Sequence, residues 1–320
     1  MVAALIGDTC MTAPFLALAA DLKAGAALAP EDVLSLRRNA WPDGRIDPAE
    51  AEAMFDLNDA VKSAEGEWVD FFVEALCNYV VYQTAPAGYV DESNAAWLIA
   101  RIDRDGRVES RAELELLVKV LEVATAVPAS LQHYALAQIE TAVLTGVGPT
   151  RTGALDPGAI NATEAQLLRR ILFAQAGDGP ACISRAEAEL LFRLKDASLG
   201  AANAPEWERL FVQAVGNHLM AHNSYRPLAR DEASRLDAFM ADNQPSIAGF
   251  FRRMASAGLS GFSSAPAARP DRQALQDAAR AIDPAEAAWL KERLAAQPGH
   301  DPLEVALLAF IAEESGQQLA

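Results

Sequence analysis

Residues 46–55 read IDPAEAEAMF, and residues 183–192 read ISRAEAELLF. A third stretch, SRAELELL at 110–117, follows the same plan. In each, Asp or Ser is followed three residues later by glutamate: Asp47 with Glu50, Ser110 with Glu113, Ser184 with Glu187. This is the spacing of a capping box. The first side chain accepts a hydrogen bond from an orphan N–H of the first turn, and the glutamate accepts one from the N–H of the capping residue. Apolar residues then recur at helical spacing, so a helix starts at each place.

The similarity extends outward from these starts. EWVDFFVEALCN at 67–78 matches EWERLFVQAVGN at 206–217, and LQHYALAQI at 131–139 takes the corresponding place in the middle copy. A further helix precedes each capped one. It ends at Ser35–Arg38 in the first copy and reads NAAWLIARI at 94–102 and TEAQLLRRIL at 163–172 in the others. DEASRLDAFM at 231–240 begins a fourth that lacks the Gly-containing turn. Trp68 and Trp207 hold equivalent positions, as do Trp97 and Trp289, which suits them to anchoring a core.

The expected fold is therefore all-α: tandem helix-loop-helix repeats, EF-hand-like or solenoid-like, in about three 60–75-residue units plus a C-terminal helical pair. We place an N-terminal segment at 1–30 and repeats at 31–92, 93–159 and 160–229. A partial repeat at 230–257, a Gly/Ser/Pro-rich linker at 258–270 and the helical pair at 271–320 complete the chain. Capping signatures at Ile282–Leu290 and Asp301–Glu304 start the last two helices, and this pair closes the end of the array or docks on a partner.

Composition narrows the function. The 320 residues hold 44 acidic against 27 basic side chains, a net charge of −17, which disfavours nucleic acid and anionic membranes and suits cations or basic protein surfaces. No apolar run is long enough to span a bilayer, and the N-terminus lacks a basic region before its broken apolar run, with Met11 a second candidate start. Three scattered cysteines form no CxxC pair, as in a reducing cytoplasm, so the expected setting is cytoplasmic.

The loop NAWPDGRIDPAE at 39–50 carries the main functional question. With Gly44 at the sixth position, Asn39, Asp43, the carbonyl of Arg45, Asp47 and Glu50 fall where an EF-hand loop supplies oxygen to Ca²⁺, and Trp41 falls where it would want one more. The second loop, 101–112, keeps Asp103, Asp105 and Glu109 but has Arg101 and Ala112 at its ends. The third, around Gly177–Gly179, is two residues too long. These units resemble degenerate EF-hands. The resemblance implies weak Ca²⁺ binding coupled to a protein partner, a helix 47–62 that reorients on binding, and a short β-bridge at Ile46, Val108 and Ile183. The alternative needs no metal: Asp-Gly makes a turn, and Asp47 and Glu50 bond backbone amides. DGRIDPAE at 43–50 and DGRVES at 105–110 also resemble TerB-like helical domains of tellurite resistance, which implies a link to metal stress and membrane-proximal complexes.

Catalytic patterns are weaker. His218 and His222 lie one helical turn apart and could clip zinc, but Leu219 stands where a metalloprotease glutamate would be and no third ligand is evident. The glycines at 146–153 and 258–261 match neither a phosphate loop nor a nucleophile elbow. We therefore expect a non-catalytic protein, either a weak cation binder or a purely structural adaptor of a protein complex.

Overall fold

The computed structural model describes residues 4–25, 28–40, 45–61, 66–103, 108–151, 158–176, 182–220, 229–241, 282, 284–295 and 299–315. The linker at 258–270 lies outside them. The described residues form thirteen α-helices and no strand. In order these are α1 (Ala4–Gly25), α2 (Pro30–Ala40), α3 (Pro48–Ala60), α4 (Gly66–Cys77) and α5 (Glu92–Ile102). There follow α6 (Arg111–Val123), α7 (Ala129–Thr145), α8 (Ala162–Leu172), α9 (Arg185–Ala197) and α10 (Pro205–Met220). The last three are α11 (Arg230–Ala241), α12 (Pro284–Leu294) and α13 (Pro302–Ser315). No described helix is long and apolar enough to cross a membrane.

Local chemistry starts these helices. Capping boxes open α3 (Asp47, Glu50), α6 (Ser110, Glu113) and α9 (Ser184, Glu187). A fourth, outside the three matched stretches, opens α8 through Asn161 and Glu164. The same bonds recur at α13, where Asp301 Oδ1 accepts from Glu304 N and Glu304 Oε2 from Asp301 N. Pro48 sits in the first turn of α3, where its missing N–H has no helical role. At the other end of α7, Gly146 adopts φ 71°, the left-handed cap that glycine takes without strain. The α4 helix runs on into a π-helical turn, Asn78–Tyr82, which has no signature in the sequence.

Packing follows a regular order. Taken in the groups of helices expected from the sequence, α2 packs on α4 in the first, α5 on α7 in the second and α8 on α10 in the third. Between groups, α1 packs on α3, α4 on α6, α7 on α9 and α10 on α13. One hydrophobic core runs unbroken from Phe15 to Ile311. Its largest anchors are Trp68 and Trp207, each 1% exposed. The α12 helix seats Trp289 against Phe192 and His218, with ring centroids 5.7 and 5.0 Å apart. Trp97 of α5 meets Phe55 and Tyr79 in the same way, at 5.7 and 5.3 Å. The α10–α13 contact is close because residue 216 is glycine: a Cβ there would lie 2.5 Å from Phe310 Cε1.

Candidate functional site

The residues proposed to hold a cation are distributed as follows. Asn39 lies in the last turn of α2, and its Nδ2 donates to the Ser35 carbonyl at 2.7 Å. Asp43 lies outside the described residues, and Arg45 is exposed. Asp47 Oδ1 accepts from Glu50 N at 2.8 Å, while Glu50 Oε2 accepts from Asp47 N at 3.0 Å. Both carboxylates are thus engaged in the cap of α3, and Glu50 is buried. In the second loop Asp103 Oδ1 accepts from Tyr134 Oη at 3.0 Å, and Glu109 N donates to Glu113 Oε2 at 3.3 Å. Asp105 lies outside the described residues. Arg101, at the head of that loop, reaches back to Glu52 and Asp56 of α3.

The β-bridge expected at Ile46, Val108 and Ile183 is replaced by another device. Each of these buried residues donates its N–H to a side-chain amide on the last helical segment of its own group. The acceptors are Gln83 just beyond the π turn, Gln138 of α7 and Asn217 of α10, at 3.3, 3.1 and 3.1 Å. The one isolated bridge among the described residues joins Tyr89 to Ala126. A lone N–H in a buried turn needs an acceptor, and an amide on a packed helix supplies it without a paired loop. His218 makes no metal cluster among the described residues. Its Nδ1 sits 2.9 Å from the Ile183 carbonyl and its ring stands edge-on to Trp289. His222 lies outside the described residues.

The capping boxes do more than start helices. Asn58 of α3 donates to Ser110 Oγ at 3.0 Å and to Glu113 Oε1 at 3.3 Å, so one group reads the cap of the next. Its Oδ1 accepts from Trp68 Nε1 at 3.1 Å. Gln132 of α7 donates to Glu187 Oε1 at 2.8 Å. Lys195 of α9 is 1% exposed and lies 2.6 Å from both Asp301 Oδ2 and Glu304 Oε1. Arg151 and Thr150 bind the fully buried Glu164. Burial pushes the Glu113 and Glu164 carboxyls above the usual glutamate range. The contacts of Lys195 hold Asp301 below its usual range despite its burial. The partners supplied by Asn58, Gln132 and Lys195 to later caps are not visible from sequence spacing, since they lie 52 to 109 residues away.

A groove of about 670 Å³ opens between α4 and α6. Val69, Val73, Cys77 and Val123 line it with apolar surface, and Arg111 and Lys119 stand in its wall. Burial raises the Cys77 thiol to about 11, so the group stays neutral and behaves as a small hydrophobe. Arg170 closes one side, bonded to Glu115 and Glu122 of α6 at 2.7 Å each. The size of this groove is that of a ligand or side-chain cluster site. No protein-family model, no curated protein and no solved structure matches the chain.

Proposed function

We propose that the chain is a non-catalytic helical scaffold of tandem three-helix units that holds a protein partner, with its Asp-Gly loops acting as capped turns. One observation carries the reading. The glutamates that open α6, α9 and α13 are each also bound by a residue of another group: Glu113 by Asn58, Glu187 by Gln132, Glu304 by Lys195. A carboxylate that caps one helix and ties it to a second element rigidifies an array and is poorly placed to leave for a cation. The acidic balance of the chain, −17, favours a basic surface on the partner.

Weak Ca²⁺ binding at 39–50 is the competing reading. It is favoured by the placement of that loop between the end of α2 at Ala40 and the start of α3 at Pro48, the spacing of a helix-loop-helix cation site. Calorimetric titration of Ca²⁺ into chelator-treated protein, with Mg²⁺ in the buffer, separates the two. The scaffold reading expects flat heats up to about millimolar Ca²⁺. A saturable micromolar site that disappears in Glu50→Gln would replace it with a calcium-responsive protein.

A further inference from the structure

The C-terminal helices repeat the placement of α5 and α6. Trp289 contacts Phe192 and His218 as Trp97 contacts Phe55 and Tyr79. Lys195 binds the cap of α13 as Asn58 binds that of α6, and α10 packs on α13 as α4 packs on α6. The caps Ser110 and Asp301 therefore set a register in which Val305, Leu308, Ala309 and Ala312 stand for Leu114, Leu117, Val118 and Leu121.

What happens to these two stripes differs. In α6 the four residues are buried to 4% exposure or less, and α7 and α8 pack on that helix. In α13 the stripe at i, i+3, i+4 and i+7 is open: Val305 is 55% exposed, Ala309 is exposed, and Leu308 and Ala312 are half-buried. The border is acidic. Glu313 lies one turn beyond Ala309, Glu314 follows, both are exposed, and α13 contains no lysine or arginine.

We infer that the Val305–Ala312 face of α13 is a docking surface for a basic amphipathic helix of a protein partner. Such a helix would lay an apolar stripe where α7 and α8 cover α6, and place Lys or Arg against Glu313 and Glu314. Both halves come from the molecule: the covering element from its own α6, the charge from the border of α13. The surface gives the scaffold proposed above a place to hold its partner. Calcium titration tests that reading separately, so either can fail alone.

The test uses the full chain and a labelled synthetic helix. The probe is the α7 sequence 129–145 with lysine at its exposed positions 133, 137, 141 and 144; the unmodified α7 peptide serves as control. Saturable binding of the lysine peptide in fluorescence anisotropy is expected, weaker for the control. It should weaken about tenfold or more in Val305→Asp and in Ala309→Asp, and by less in Glu313→Gln/Glu314→Gln, where added salt should then matter less. Val305 and Ala309 are exposed, so both aspartate variants should keep the parent helicity and melting temperature. Binding that ignores the aspartate substitutions, or no binding of the lysine peptide, overturns the proposal. So does self-association of the full chain that Val305→Asp abolishes, since a second copy would then be the occupant.

Discussion

Lys195 and Asn58 hold the same place in their helices, eleven residues beyond the N-caps Ser184 and Asp47, and both bind the capping box of a later helix. The exchange is balanced in charge. Asn58 meets Ser110 and Glu113, whereas Lys195 meets Asp301 and Glu304, so the added carboxylate is matched by an added ammonium. It leaves a trace. Trp68 donates its indole N–H to Asn58, but the equivalent Trp207 has no acceptor among the described residues, and an ammonium at the Asn58 position offers none.

Lys195→Met should therefore cost about 3–5 kcal/mol, since it strands Asp301 and Glu304 without their buried cation. Lys195→Asn alone should also destabilise, while Lys195→Asn/Asp301→Ser recreates the Asn58–Ser110 arrangement and should recover most of the loss. Denaturant unfolding of the parent, Lys195→Asn, Asp301→Ser and the double variant gives the coupling directly. Additive losses would show that the two residues act independently.

The same ion cluster sets a pH window for α12 and α13. Asp301 is held below its usual range by Lys195, so its contribution is present above about pH 4 and lost as pH falls through its lower folded value. Lys195 is raised by Asp301, Glu304 and Asp196 against its burial, so its contribution holds below about pH 10.5 and is lost as pH rises through its folded value. Glu113 and Glu164 behave oppositely. Burial raises them, so their effect on stability is most favourable below about pH 4.5 and declines as pH rises through their folded values. On acidification the contacts of Trp289 should loosen before those of Trp68, which amide exchange over α13 and α6 would register.

Gly216→Ala should destabilise by about 1–3 kcal/mol although alanine is the better helix former, because its Cβ meets the Phe310 ring. Phe310→Leu in the same chain should relieve much of this. A stabilised Gly216→Ala in a thermal melt would show that α10 and α13 are less closely packed.

Asp47→Ala should cost about 1 kcal/mol through loss of the α3 cap. Chelator should leave the unfolding midpoint of the parent chain unchanged if the loop is only a capped turn. Cys77 should alkylate about a hundredfold more slowly than an unperturbed thiol at neutral pH, because burial keeps it protonated. Labelling of wild type against Cys77→Ser, followed by mass spectrometry, reads that rate.

The sequence by itself determined the helical class and where several helices begin. A capping box joins residues three apart, so the pairs at 47, 110 and 184 form whatever the rest of the chain does. It also showed why 39–50 looks like a cation loop, since Asp47 and Glu50 suit both a cap and a ligand set. Only the tertiary structure shows which distant groups bind the capping glutamates of the later helices. Asn58 reaches Glu113 across 55 residues and Lys195 reaches Glu304 across 109, and nothing in local spacing selects such partners. Nor does spacing tell a covered apolar stripe from an open one. Leu114 and Val305 stand at the same register in helices with the same kind of cap, and whether another helix packs on them separates the two.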